Sequence, residues 1–175
     1  LGVSGALYNS NLVMYDRESD TYYPQIIGVG VSENIGDELE SFPVTITTWA
    51  KWKAKYPETK VLMEPLDKLR DYNKNPYPGY EESLRVWFPV AAKSDRFESK
   101  KIVFGVEVGK ESFAVVKEKI KEKGEVVLET LEGPLVVAYD KETDAVFVKG
   151  RSDVKAFDVY WFAWYAYHPD TKVVE

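Results

Sequence analysis

A thirteen-residue stretch occurs twice in this chain, and that repetition constrains the fold more than any other feature. Residues 49–61 carry Trp49, Trp52, Ala54, Pro57, Thr59, Lys60 and Val61; residues 161–173 carry Trp161, Trp164, Ala166, Pro169, Thr171, Lys172 and Val173 at the same places. The spacing is constant (161 − 49 = 112). A repeat of this length implies two related halves, each closed by the same unit. Trp49 and Trp52 are three residues apart and share one face of a helix, which Tyr56 extends. Thr48 is placed to cap that helix, and Pro57 disfavours helical dihedrals at Tyr56 and ends it. A strand is expected at residues 60–63. The second copy is apolar all round (Trp161, Phe162, Trp164, Tyr165, Tyr167), so it is expected to sit deeper than the first or to cover a partner.

A second pair of matching segments supports the division. Tyr15, Asp16, Ser19 and Asp20 match Tyr139, Asp140, Thr143 and Asp144, here in the order Tyr-Asp-x-x-Ser/Thr-Asp (139 − 15 = 124). Each lies between two apolar runs, which is a hairpin signature. A third pair, Gly2-Val3 with Gly105-Val106, is a weaker signal of the same kind.

The expected organisation is one domain over residues 1–175: a first repeat at about 1–64, a linker loop at about 65–100 and a second repeat at about 101–175. The expected fold is β-rich α+β, with antiparallel strands in two repeated subdomains, each bearing a short Trp helix. Strands are read at 1–7, 12–15, 21–27 (Pro24 marking an edge) and 41–47, where Phe42, Val44 and Ile46 alternate as in a half-buried strand. In the second half, strands are read at 102–108 and 113–116, a helix at 116–123 ended by Gly124, and a meander over 125–131, 135–139 and 145–149. Residues 65–88 are irregular and carry Tyr72, Tyr77 and Tyr80, whose rings are expected to pack the loop onto the core.

The chain has 175 residues, 45% of them hydrophobic and 14% aromatic, enough to build a core. Its net charge of −6 argues against nucleic acid as a partner. Lys and Glu dominate the charges, Gln25 is the one glutamine and Cys is absent, a composition expected of a thermophile, archaeal or bacterial. Absence of Cys also means no disulfide framework and no thiolate chemistry. No apolar run reaches membrane-span length. The chain opens at Leu1 rather than Met, which suggests processing or a missing upstream segment.

An ordered series of motifs then points to a family. It comprises Asn9-Ser10-Asn11 through Met14-Tyr15-Asp16-Arg17; Thr47 to Trp52; Tyr56 to Thr59; Asp71-Tyr72, Asn75-Pro76-Tyr77 and Gly79-Tyr80; Gly105 to Gly109; and Trp161 to Trp164 with His168 to Thr171. This series resembles the prokaryotic domain-of-unknown-function family 3179. The resemblance implies an exported or membrane-associated setting, hence an extracytoplasmic location. It also implies an upstream stretch with a Cys-Pro-x-Cys motif, which would precede Leu1. Tyr22 and Tyr23 stand where the family usually has Trp. If the Cys pair carries the chemistry, this chain alone does not perform it.

No residue is marked as catalytic. His168 is the only His, and a hydrolase triad would need it with Asp170 or Asp158 and Ser10, yet no nucleophile elbow surrounds Ser10. Tyr56 occupies the matching place in the first half, so a structural ring is expected there. The Asp16–Asp20 and Asp140–Asp144 spacings open like calcium loops but lack the Gly and the closing Glu, and hairpin turns are preferred. No metal or cofactor is expected. The ligand-binding candidates are Asn9, Tyr15, Asp16, Arg17, His168 and Asp170, with Arg17 suited to an anionic group, or else to an ion pair that pins the hairpin. The leading expectation is a non-catalytic binding or assembly module that contacts its upstream segment or a protein partner through the aromatic second repeat and the open first strand. The alternative is an enzyme with a pocket near Asn9, Arg17 and His168, or with its chemistry in the missing segment.

Overall fold

The computed structural model describes residues 1–63 and 71–175. It is β-rich α+β, with ten strands and three short helices among the described residues. In the first half, β1 (Gly2–Tyr8), β2 (Asn11–Tyr15) and β3 (Tyr22–Pro24) form an antiparallel meander, followed by α1 (Trp49–Lys55). In the second half, β4 (Ile102–Val108) and β5 (Glu111–Val116) form a hairpin leading into α2 (Lys117–Lys123). A meander of β6 (Glu125–Thr130), β7 (Gly133–Asp140) and β8 (Ala145–Val148) follows. The chain then runs through β9 (Lys155–Tyr160), α3 (Trp161–Tyr167) and β10 (Lys172–Val174). One sheet has the order β10-β5-β4-β9, with β10 parallel to β5 and the other pairs antiparallel.

Strand alternation decides what that sheet buries. Phe104, Val106 and Val108 of β4 point to one face, where Ile120 of α2 and Leu128, Leu135, Val137 and Val146 of the meander close the main core. Val103 and Gly105 point to the other face, where Trp161 and Trp164 of α3 lie. Gly105 is there because nothing larger fits: a Cβ on it would lie 2.5 Å from Cε3 of Trp164.

The two meanders share their register. Tyr15 pairs with Tyr22 and Met14 with Tyr23, as Tyr139 pairs with Val146 and Ala138 with Phe147. Both turns are built alike. The Tyr15 hydroxyl donates to Asp20 at 2.5 Å and that of Tyr139 to Asp144 at 2.6 Å. Ser19 donates to Asp16 at 2.6 Å and Thr143 to Asp140 at 2.8 Å. Asp20 and Asp144 both take left-handed dihedrals (φ 54° and 53°), which Asp tolerates because its short side chain bonds locally.

Several expectations change. Residues 41–47 are not a ladder strand: Val44 N–H donates to Ala156 O at 2.8 Å, and Phe42, Val44 and Ile46 are exposed. Residues 60–63 are not a strand either, because no neighbouring edge pairs with them among the described residues. The strand expected at 21–27 stops at Pro24, after which Gly28 N–H closes a turn onto Pro24 O at 2.8 Å. The parallel β10–β5 pair is an addition to the antiparallel scheme. Residues 64–70, the start of the expected loop, lie outside the described residues. Of the three loop tyrosines, Tyr80 packs, edge-on to Trp87 at 4.8 Å, whereas Tyr72 and Tyr77 are exposed. Among the described residues no helix is long and apolar enough to cross a membrane.

Candidate docking surface

The helix-ending turn after each Trp pair has one construction in two places. Tyr56 (φ −125°, ψ 72°) ends α1 and donates its N–H to Trp52 O; His168 (φ −128°, ψ 66°) ends α3 and donates to Trp164 O. Thr59 N–H then donates to Tyr56 O at 3.0 Å and Thr171 N–H to His168 O at 3.1 Å. The indole N–H of Trp52 reaches the Thr59 hydroxyl at 3.0 Å, and that of Trp164 reaches Thr171 at 2.9 Å. The ring below each indole also corresponds: Tyr56 lies 4.5 Å from Trp52 and His168 lies 4.1 Å from Trp164, centroid to centroid. A Pro after each of these rings sets the turn.

The surroundings differ completely. Trp161 and Trp164 are 1% and 0% exposed, whereas Trp49 and Trp52 are 51% and 37% exposed. The difference is the sheet. β9 enters α3 while paired to β4, and β10 leaves it while paired to β5, so the β4–β5 hairpin fills the space beneath the helix. The segments entering and leaving α1 have no such hairpin between them among the described residues. What stands there is an open concavity of about 480 Å³ lined by Thr45, Ile46, Thr47, Trp49 and Trp52. Tyr56, Val61, Leu62 and Met63 extend the exposed apolar area. The aromatic segment 161–167 is therefore core, as its all-round apolar character implies, rather than a contact surface, and segment 49–56 is the one that faces outward.

The far side of this surface is fastened to the second half. Thr47 donates its hydroxyl to Thr143 O. Lys51 pairs with Asp144 at 3.0 Å and Lys55 with Asp140 at 2.5 Å. The Lys55 ammonium, helped by the Thr143 hydroxyl, holds the Asp140 carboxyl down to about 2. Lys121, Tyr139 and Lys51 together hold Asp144 well below the usual carboxylate range. The surface thus stands on a fixed base.

The polar candidates fall into separate places. Asn9 is buried at a left-handed turn (φ 50°); its amide donates to Ala166 O at 3.3 Å and accepts from Ala91 N–H at 2.8 Å. That ties the β1–β2 turn to α3, two residues before His168. His168 lies under the Trp164 ring with its Nε2 3.5 Å from Glu107. Burial pushes its pKa below the ordinary imidazole value, against Glu107, so it is neutral. Arg17 lies beyond the other end of β2, whose five residues span roughly 17 Å at strand rise. Its guanidinium lies over Gly2, and it makes no ion pair among the described residues. Tyr15 and Asp16 are engaged in their turn; the Asp20 bond raises the Tyr15 pKa and the Ser19 hydroxyl lowers that of Asp16. Asp170 sits on the exposed turn after α3. Residue reasoning missed the concavity. Its signal was two strand-like runs, 41–47 and 60–63, flanking a helix.

A family model described as a protein of unknown function (DUF3179) matches residues 1–154, a span that ends before α3. No curated protein and no solved structure matches the chain.

Proposed function

The chain belongs to the DUF3179 family, and on that footing we propose that it is a non-catalytic assembly module of an exported or cell-surface prokaryotic protein, whose contact face is the aromatic surface around α1. The same reading takes the chain as one domain, with a first unit over about 1–64, a linker over about 65–100 and a second unit over about 101–175. The observation that carries it is the contrast between two helices of the same local construction. One keeps its indoles dry under a sheet, and the other holds them out in the open. An exposed apolar patch rimmed by lysines marks an interaction surface. Asn9 and His168 are both taken up in packing α3, which favours assembly over an active-site pocket.

The test is oxidative footprinting of the protein as isolated from its own cells. Trp87, half-exposed, and Trp164, fully buried, serve as internal references. Trp49 and Trp52 label at the slow rate of Trp164 if the face is occupied. Labelling at or above the rate of Trp87 overturns the proposal.

A further inference from the structure

The second half of the molecule shows what covers such a face. Resting on the assembly reading, we infer that the occupant is a β-hairpin of the same polypeptide lying N-terminal to Leu1, which adds antiparallel to residues 43–48 and parallel to residues 60–62. Four observations lead there.

The repeat supplies two candidate edges by sequence correspondence. At the constant spacing, Val44 corresponds to Ala156 of β9 and Val61 to Val173 of β10. Val106 of β4 sits opposite Ala156, and Ala114 of β5 sits opposite Val173. A β4-like strand fits against 43–48 and a β5-like strand against 60–62, closing a sheet of four.

The helix dictates a glycine. Trp164 rests on Gly105 so closely that no Cβ is tolerated. Trp52 has the same anchoring bond and the same ring beneath it, so the strand that passes under it needs glycine at the equivalent point.

Charge fixes the rim. Lys172 pairs with Glu111 at the start of β5 at 2.6 Å. Its counterpart Lys60 is exposed and has no ion pair among the described residues. An acidic residue at the first position of the hairpin's second strand completes it.

Chain order names the source. Gly2 faces Tyr15 in the first meander, and Gly124 accepts the N–H of Tyr139 in the second, so Gly2 matches Gly124 and not Gly105, with which the Gly-Val pair aligns it. What leads into Gly124 is β4, β5 and α2, residues 102–123. The matching elements would lead into Gly2. A second copy is a poorer source, because its own β4–β5 hairpin is already flanked by β9 and β10.

The experiment places the photo-crosslinker p-benzoyl-phenylalanine at Trp52 in the full-length protein, and in a second variant at Leu62, which is 97% exposed and whose replacement perturbs no core contact. Peptide mapping is expected to show an intramolecular link from each position to residues preceding Leu1, the Trp52 link falling beside a glycine, with the product migrating as a monomer. A link to a second copy or to a different protein overturns this inference and leaves the contact face standing. Absence of any link at both positions, together with fast Trp49 labelling, overturns both.

Discussion

The indole N–H of Trp164 donates to the hydroxyl of Thr171 at 2.9 Å, across the turn that ends α3, and it does so in a fully buried place. Removing the acceptor leaves a buried donor without a partner. Thr171→Val is expected to cost about 1–3 kcal/mol, read from the urea midpoint at unchanged m-value. Thr59→Val removes the same bond in the exposed copy, where water replaces it, and is expected to stay within about 0.5 kcal/mol when only residues 1–175 contact α1.

Gly105→Ala inserts a methyl against the Trp164 ring, 2.5 Å from two of its carbons. Overpacking of this kind costs about 1–3 kcal/mol. Trp164→Leu opens room for it, so the double variant is expected to be more stable than the sum of the singles predicts. A double-mutant cycle that comes out additive would show that the contact is not the cause.

His168 gives the protein an acid-sensitive window. Its pKa is lowered by burial, so the unfolded state binds a proton that the native state resists. Stability from this group is complete above the unfolded value of about 6.5 and is lost as pH falls through the native value. Urea midpoints are therefore expected to fall between about pH 7.5 and pH 5. His168→Tyr, which installs the ring found at Tyr56, should flatten that decline; an unchanged slope would point to another group.

Asp140 behaves in the opposite region of the pH scale. Lys55 and Thr143 hold its carboxyl at about 2, so its contribution is present above the ordinary value of 3.8 and is lost as pH falls toward 2. In Lys55→Met, a carboxyl-detected NMR titration should find Asp140 moved up toward 3.8. Stability at neutral pH should change by less than about 1 kcal/mol, since the pair is partly solvated.

Much of the fold was legible where the signal is local. Thr48 and Pro57 marked the ends of α1, and Tyr15 to Asp20 and Tyr139 to Asp144 marked two hairpin turns, because caps and turns are decided by a few adjacent residues. The strands at 41–47 and 60–63 were misread because a strand also needs a partner, which alternation alone does not supply. The parallel pairing of β10 with β5 is set by tertiary placement and leaves no mark in Lys172 to Val174. Of the candidate site, the Trp spacing was visible, but which pair is dry was not: Trp49 and Trp161 have the same local pattern and differ in what lies beneath them. His168 stood out as the lone imidazole, although its role is that of a ring under Trp164.

The bonds that tie the two halves run in both directions. Tyr167 donates to Tyr8 O and Lys155 to Ile27 O, while Val44 donates to Ala156 O and Lys55 reaches Asp140. Backbone continuity around Gly79 is therefore redundant for cohesion. A protease nick there would go unnoticed on a sizing column and show only once the pieces were denatured, and the same spot is where circular permutation could open new termini without parting the molecule.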